Sequence, residues 1–221
     1  MSYYILVEGK KTELKVYPEW IKHLNPTLTR IYNPTEAIEN NYFIISGEGY
    51  PNLIDNHLRN AIKDFIQNPN FKKFILCLDC DVKLESELHS QIDKIIDEYK
   101  TVQKENVIVI FQKKTIESWF LANRKIFKKN PENEELKKII THYNVCEEDP
   151  CHMEKPASYP GSIGDFHTKY LKLIFQERKI SYSKKNPGCV KEYYYFQQLF
   201  ERFKETGHIS EFGQFIEIFT N

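Results

Sequence analysis

Acidic side chains follow three of the four apolar segments that we predict to be buried strands. Glu8 comes directly after YYILV, Asp79 and Asp81 come after KFILCL, and Glu117 lies a short way beyond VIVIF. The carboxyl ends of parallel strands meet at one edge of a sheet, and this edge is where ligands bind in open α/β folds. We therefore expect these carboxylates to gather at the same edge.

Grouped carboxylates of this kind suit a divalent cation. Asp79 and Asp81 are two residues apart, so both side chains point to one side of an extended chain. Like charges held close together repel and raise one another's pKa, and a bound cation relieves that repulsion. Oxygen ligands without His or Cys favour Mg²⁺ or Mn²⁺. The alternative is that each acid is a helix cap or a solvated loop residue.

Apolar segments alternate with helical periods in the first part of the chain. This order predicts an α/β fold with a mostly parallel sheet of four or slightly more strands, flanked by helices. The stretch 26–41 is less regular and is a candidate for an additional edge strand. The predicted strands are Tyr3–Val7, Tyr42–Ile45, Lys73–Leu78 and Val107–Phe111.

Strand signals fade beyond about residue 126, and the remaining segments have helical periodicity. We therefore divide the chain into an α/β catalytic domain, residues 1–125, and a helical C-terminal extension, residues 126–221, that binds substrate or a partner. The predicted helices of the extension are 132–143, 163–180, 190–205 and 211–219.

The net charge gives no support for a uniformly basic protein, because 31 Lys and Arg residues balance 31 Asp and Glu residues. Positive charge is nevertheless concentrated locally. Residues 168–191 hold seven basic residues and a single acid, with aromatic residues between them, a composition that suits contacts to phosphates and bases. A solvated helix face with core aromatics is the alternative. The basic residues are Lys169, Lys172, Arg178, Lys179, Lys184, Lys185 and Lys191.

The motifs ILVEG, with Glu8 and Gly9, and ILCLDCD, with Asp79 and Asp81, resemble the Toprim domain, a metal-binding module of topoisomerases, bacterial primases and several nucleases. Each motif has an apolar strand before it, and the resemblance covers roughly residues 3–125. It implies a Toprim-like sheet.

Two further acids resemble those of nuclease-type Toprim proteins, which include the OLD family and small RloB-like proteins. Glu13 follows Glu8 by about one helical turn, and Glu117 lies in the segment TIESWFLAN. These nucleases also use a basic residue further along the chain. Lys184 and Lys185 are the candidates for that residue here.

The resemblance implies a Mg²⁺- or Mn²⁺-dependent endonuclease that hydrolyses phosphodiester bonds of DNA or RNA with two metal ions. Lys184 or Lys185 would contact the scissile phosphate, and Lys10 joins the basic residues above as a candidate nucleic-acid contact. Gly9 and Gly47 would let the backbone approach a phosphate. The implied metal ligands are Glu8, Glu13, Asp79, Asp81 and Glu117.

The resemblance also implies a role as an effector of bacterial defence against phage. OLD nucleases carry an ATPase on the same chain, but this sequence has no G-x-x-x-x-G-K-[ST] motif, so an ATPase or sensor would be a separate protein. A homodimer is a further candidate assembly. No apolar run approaches the length of a membrane span, and we expect a cytoplasmic protein without a membrane partner.

Other interpretations stay open at this point. The domain could process RNA such as rRNA or tRNA, or it could be an inactive Toprim module with a regulatory role. A zinc site among His142, Cys146, Cys151 and His152 lacks a clean second ligand pair. A redox pair of Cys77 and the nearby Cys80 is the remaining alternative, although a cysteine within a strand usually acts as a small apolar residue.

Overall fold

Five parallel strands form the sheet in the computed structural model of the chain, which describes residues 1–81 and 83–220. The strand order is β2-β3-β1-β4-β5. The prediction of an α/β fold with a parallel sheet is confirmed, and the irregular stretch 26–41 does contain an edge strand. The strands are β1 (Tyr3–Val7), β2 (Thr29–Ile31), β3 (Asn41–Ser46), β4 (Lys73–Cys80) and β5 (Val107–Lys113).

The central strand β1 is buried along its whole length because it pairs with β3 on one side and β4 on the other. Val7 lies opposite Ser46 in one pairing and Cys77 in the other, so β1 and β3 end together while β4 continues to Cys80. A strand covered on both faces needs a continuous apolar run, and YYILV supplies it. Glu8 and Asp81 directly follow their strands, whereas Asp79, expected after its strand, is a residue of β4.

Eight α-helices lie within the residues that the structure describes, and most bury one apolar face. In the third helix, for example, Leu88, Ile92, Ile95 and Ile96 are buried. A π-helical turn, Leu53–His57, leads into the second helix. The helices are α1 (Glu13–Leu24), α2 (Leu58–Gln67), α3 (Glu85–Asp97), α4 (Ile116–Phe120), α5 (Glu134–His142), α6 (Ile163–Glu177), α7 (Tyr193–Thr206) and α8 (Ser210–Thr220).

The start of α1 and the end of α6 differ from what residue type and periodicity indicate. Thr12 precedes α1, but its side chain makes no capping hydrogen bond because its backbone already has helical angles. Helix α6 ends at Glu177 rather than at Ile180, since Lys179 adopts a left-handed conformation with φ of 57°. The amides of Lys179 and Ile180 donate to the carbonyls of Gln176 and Phe175, which is the Schellman pattern that ends a helix.

The chain forms two compact units. The first is built mainly from Met1–Leu78 and residues 83–111, and the second from Asp79–Asp81 and Gln112–Phe219. The last residues of β4 and β5 thus belong to the second unit together with helices α4 to α8. None of the described helices combines the length and the apolar character needed to cross a lipid bilayer.

A buried arginine ties α7 to the preceding loops of the second unit. Arg202 is only 2% exposed, and its guanidinium donates to the carbonyls of Ala122 at 3.1 Å, Val145 at 2.6 Å and Glu148 at 2.7 Å. Burial lowers the pKa of Arg202 to about 10. The planar guanidinium spreads five N–H donors over three nitrogens, so it can bind carbonyls that lie in different directions.

We expect Arg202→Met to lower the free energy of unfolding by about 3 kcal/mol, because buried carbonyls lose their donors. Urea unfolding followed by circular dichroism measures this loss. The matched control is Arg59→Met, which removes an exposed pair with Glu98 and should change the unfolding midpoint little. Equal midpoints for the Arg202 and Arg59 variants would contradict the structural role of Arg202.

Candidate functional site

A fully buried carboxylate lies at the beginning of α4 in the second unit. Glu117 is the second residue of this short helix and has no exposed surface. The Ser118 hydroxyl donates to the carbonyl of Thr115 at 2.7 Å and so fixes the turn that precedes the helix. Trp119 and Phe120, which follow Glu117 in α4 by two and three residues, are likewise fully buried.

The two oxygen atoms of the Glu117 carboxylate have different surroundings. Oε1 accepts a hydrogen bond from the Tyr182 hydroxyl at 3.1 Å and lies 3.5 Å from Nζ of Lys184. Oε2 is buried, and no described residue donates a hydrogen bond to it. A buried carboxylate oxygen without a partner is costly. The unmatched oxygen therefore marks a position where a cation or a donor from a ligand would be stabilised.

Asp81 belongs to the same electrostatic environment. Burial is the main cause that raises the pKa of Asp81, and the negative charges of Glu117 and Asp165 raise it further, while the backbone amide and Lys184 act in the opposite direction. Asp165 forms a capping box with Ser162 at the start of α6, and these hydrogen bonds lower the pKa of Asp165. Asp81 and Glu117 are thus two carboxylates with one lysine nearby.

A glycine permits the first turn of α6 to approach Asp81. A Cβ atom at Gly164 would lie 3.4 Å from Oδ2 of Asp81 and 3.0 Å from the side chain of Thr115. A side chain of any greater size would therefore displace one of these neighbours. Asp79, two residues before Asp81, is half-buried at the end of β4.

The remaining predicted metal ligands lie in the first unit. Glu8 is half-buried after β1, its amide donates to the carbonyl of Cys77 at 3.0 Å, and its Oε1 accepts from the amide of Tyr50 at 3.2 Å. Glu13 is 4% exposed and accepts from the amide of Gly9 at 3.1 Å. Each carboxylate is thereby held by a backbone amide that its own unit provides.

The two glycines of this unit do not have the role that the sequence indicated. A Cβ atom at Gly9 would overlap the carboxylate of Glu13, and one at Gly47 would overlap the side chain of Leu53. The space beside each glycine is already filled by a side chain of the protein. The expectation that Gly9 and Gly47 leave room for a phosphate is therefore wrong.

The predicted metal ligands are thus divided between the units, with Glu8 and Glu13 in the first and Asp79, Asp81 and Glu117 in the second. Within residues 1–81 and 83–220, no three His, Cys, Asp or Glu side chains are arranged as a metal site. The second-unit acids still fit Mg²⁺ or Mn²⁺ in chemistry, because they offer carboxylate oxygens and because Oε2 of Glu117 is buried without a partner.

The predicted nucleic-acid contacts have varied surroundings. Lys10 pairs with Glu48, and Lys169 pairs with Glu135. Arg178 has a structural role, because its guanidinium donates to backbone carbonyls that include Ile126 at 2.9 Å. Lys191 is half-buried in a short 3-10 turn, whereas the remaining lysines are exposed. These exposed lysines are Lys172, Lys179, Lys184 and Lys185.

The sequence interpretation missed Tyr182 as a partner of Glu117. The available signal was the spacing of Tyr182 and Lys184, which places both side chains on one side of an extended segment.

The structure does not support the zinc alternative. Nε2 of His142 contacts the carbonyl of Glu154 at 2.9 Å, and Cys151 is buried beside Ser118.

We expect opposite shifts in the pKa of Asp81 from two neutralising substitutions. Glu117→Gln removes a negative charge and should lower this pKa, whereas Lys184→Met removes a positive charge and should raise it. Carboxyl-carbon NMR titrations in a chelating buffer measure both shifts. Because the folded-state pKa of Asp81 is raised, protonated Asp81 adds to the free energy of unfolding at low pH. This contribution is lost as the pH rises through that pKa, and Glu117→Gln should make the loss smaller. Shifts of the same sign in both variants would contradict the arrangement.

Comparison of the chain with protein families, with curated protein sequences and with solved structures gave no match in any of the three searches.

Proposed function

We propose that this protein is a nuclease that depends on Mg²⁺ or Mn²⁺ and hydrolyses phosphodiester bonds of DNA or RNA. The observation that supports this proposal best is the buried Glu117 carboxylate, which has one unmatched oxygen and lies in the same charge environment as Asp81 and Lys184. A carboxylate with a raised pKa, such as Asp81, beside a second carboxylate and a lysine is typical of a functional site. A purely structural carboxylate would have both oxygens satisfied within the fold.

Asp79, Asp81 and Glu117 of the second unit would hold the metal. When bound, such ions lower the pKa of a water molecule and stabilise negative charge on the leaving oxygen. The chain itself contributes the position of the ligands. Tyr182 fixes one oxygen of Glu117 at 3.1 Å, so the other oxygen faces a defined direction.

Lys184 would contact the phosphate that is cleaved. Its side chain is 54% exposed, while its Nζ lies 3.5 Å from the fully buried Glu117. A long flexible side chain in this position can leave the carboxylate and contact a substrate phosphate, as a point charge on a non-bridging oxygen. Lys185 is also exposed and stays a second candidate for this contact.

The wider biological role that we propose is that of an effector in bacterial defence against phage, which works with a separate ATPase or sensor protein. This part of the proposal is supported by the resemblance of the Glu8-Gly9 and Asp79-Cys80-Asp81 motifs to nuclease-type Toprim proteins. The absence of a P-loop motif from the sequence is the reason to expect the ATPase on another chain.

We expect Glu117→Gln and Asp81→Asn each to lower Mg²⁺-dependent cleavage by about 100-fold or more, because each removes a charged ligand. Cleavage is measured on a panel of single-stranded DNA, duplex DNA, tRNA and rRNA, and the preferred member of the panel distinguishes a defence nuclease from an RNA-processing enzyme. Glu201→Gln is the matched control, since Glu201 is an exposed residue of the same unit. Undiminished cleavage by the Glu117 variant would refute the proposal.

Metal binding is testable without any substrate. Mn²⁺ or Mg²⁺ should raise the unfolding temperature of the unmodified protein, because a ligand that binds only the folded state stabilises it. The same ions should have a much smaller effect on Glu117→Gln. Calorimetric titration gives the affinity directly, and equal affinities for both proteins would exclude Glu117 as a ligand.

A further inference from the structure

A cavity of about 410 Å³, lined in part by two lysines, lies beside the buried carboxylate within the second unit. It is formed by the C-terminal part of α6 and the segment that follows this helix. No acidic side chain lines it, and its size is at the low end of ligand sites in proteins. The lining residues are Lys172, Gln176, Lys179, Ile180, Ser181 and Tyr182.

The two lysines of this cavity keep their positive charge available. Within the described part of the chain, the ammonium groups of Lys172 and Lys179 have neither an ion pair nor a hydrogen bond. Nearby lysines differ in this respect, since Lys169 pairs with Glu135 and Lys128 pairs with Glu177. Unpaired lysines that converge on one cavity favour an anionic ligand such as a phosphate group.

The backbone at Lys179 supports the same interpretation. Lys179 occupies the left-handed position that ends α6, where glycine is the usual residue. A lysine at this position costs stability relative to glycine, because its Cβ approaches the following carbonyl. The side chain that is retained there lines the cavity.

Tyr182 connects the cavity with the carboxylate. Its side chain forms part of the cavity wall, and its hydroxyl donates to Oε1 of Glu117. The ring itself packs against Phe120 and Phe175, so its position is fixed. A group bound in the cavity is therefore separated from Glu117 by a single side chain.

A second cavity of about 620 Å³ continues the first one along α6. The two cavities share Lys172 and Gln176, and the second extends to Lys169 and Tyr159. The α6 residues that line them recur at three- and four-residue intervals, so they form one stripe along the helix. From Asp165 to Gln176 this stripe is about 16 Å long, which is the rise of about five stacked nucleotides.

We propose that this groove binds a single-stranded segment of DNA or RNA and leads one of its phosphates to the site at Glu117. The proposal rests on the proposed nuclease function and specifies its substrate class. Lysines would contact successive phosphates along α6, while Tyr159 and Tyr182 lie at the two ends of the groove. Aromatic rings stack on bases that are unpaired, which a duplex does not offer.

Binding is measured by fluorescence anisotropy with labelled oligo(dT), oligo(U) and a DNA duplex of the same length, using the full chain in EDTA so that nothing is cleaved. We expect both single strands to bind at least about tenfold more tightly than the duplex. Lys172→Ala/Lys179→Ala should weaken single-strand binding by about tenfold and should reduce the slope of log affinity against log salt by about 1.4, since each lost phosphate contact contributes about 0.7.

Two further variants separate binding from folding. Lys94→Ala/Lys138→Ala removes two exposed lysines outside the groove and should leave the affinity unchanged. Lys179→Gly should raise the unfolding temperature, because glycine adopts the left-handed conformation freely, and should still weaken binding. A stabilised variant with reduced affinity cannot be explained by damage to the fold.

The outcomes distinguish the groove from the nuclease activity. The proposed binding groove would be refuted if the Lys172/Lys179 variant bound single strands as tightly as the unmodified protein. Tighter binding of the duplex would refute it too, even if the protein cleaves nucleic acid. Single-strand binding that depends on these lysines in a protein that cleaves nothing with Mg²⁺ or Mn²⁺ would support the groove and refute the nuclease function.

Discussion

A carboxylate without any exposed surface governs the organisation of the second unit. Ionised Glu117 loses its hydration when α4 packs into the core, and this loss is large unless other groups replace the water. The protein supplies a hydroxyl from Tyr182 and a nearby ammonium from Lys184, both at one oxygen. The segment after α6 returns to α4, where Tyr182 and Lys184 lie beside this carboxylate.

Tyr182 belongs both to the surroundings of Glu117 and to the wall of the cavity beside α6. Tyr182 has to hold Glu117 with its hydroxyl while its ring packs on Phe120 and Phe175, so it closes one end of the groove. The Schellman turn at Lys179 ends α6 and changes the chain direction shortly before Tyr182, the residue that contacts Glu117. Residues 176–184 therefore contribute Tyr182 and Lys184 to the surroundings of Glu117 and Lys179 to the cavity beside it.

Much of the fold was predictable because it depends on short-range patterns. The run YYILV has no polar residue and is too short for a helix, and it is the fully buried central strand. The edge strand Thr29–Ile31 was indicated only as an irregular stretch, since a three-residue strand at an edge needs little apolar surface. The end of α6 could not be read from periodicity, because the residue in the left-handed conformation is a lysine rather than a glycine.

The sequence by itself determined which acids follow the strands, since apolar runs and turn residues locate strand ends without any long-range contact. It also drew attention to Lys184, although only as one of two neighbouring lysines. Only the tertiary structure decided that Tyr182 and Lys184 contact Glu117. It also decided that the Arg178 guanidinium donates its hydrogen bonds to backbone carbonyls, and that Lys172 and Lys179 face a cavity. The physical reason is that these side-chain partners lie 51 or more residues apart and are brought together by the packing of helices and loops, which local periodicity does not encode.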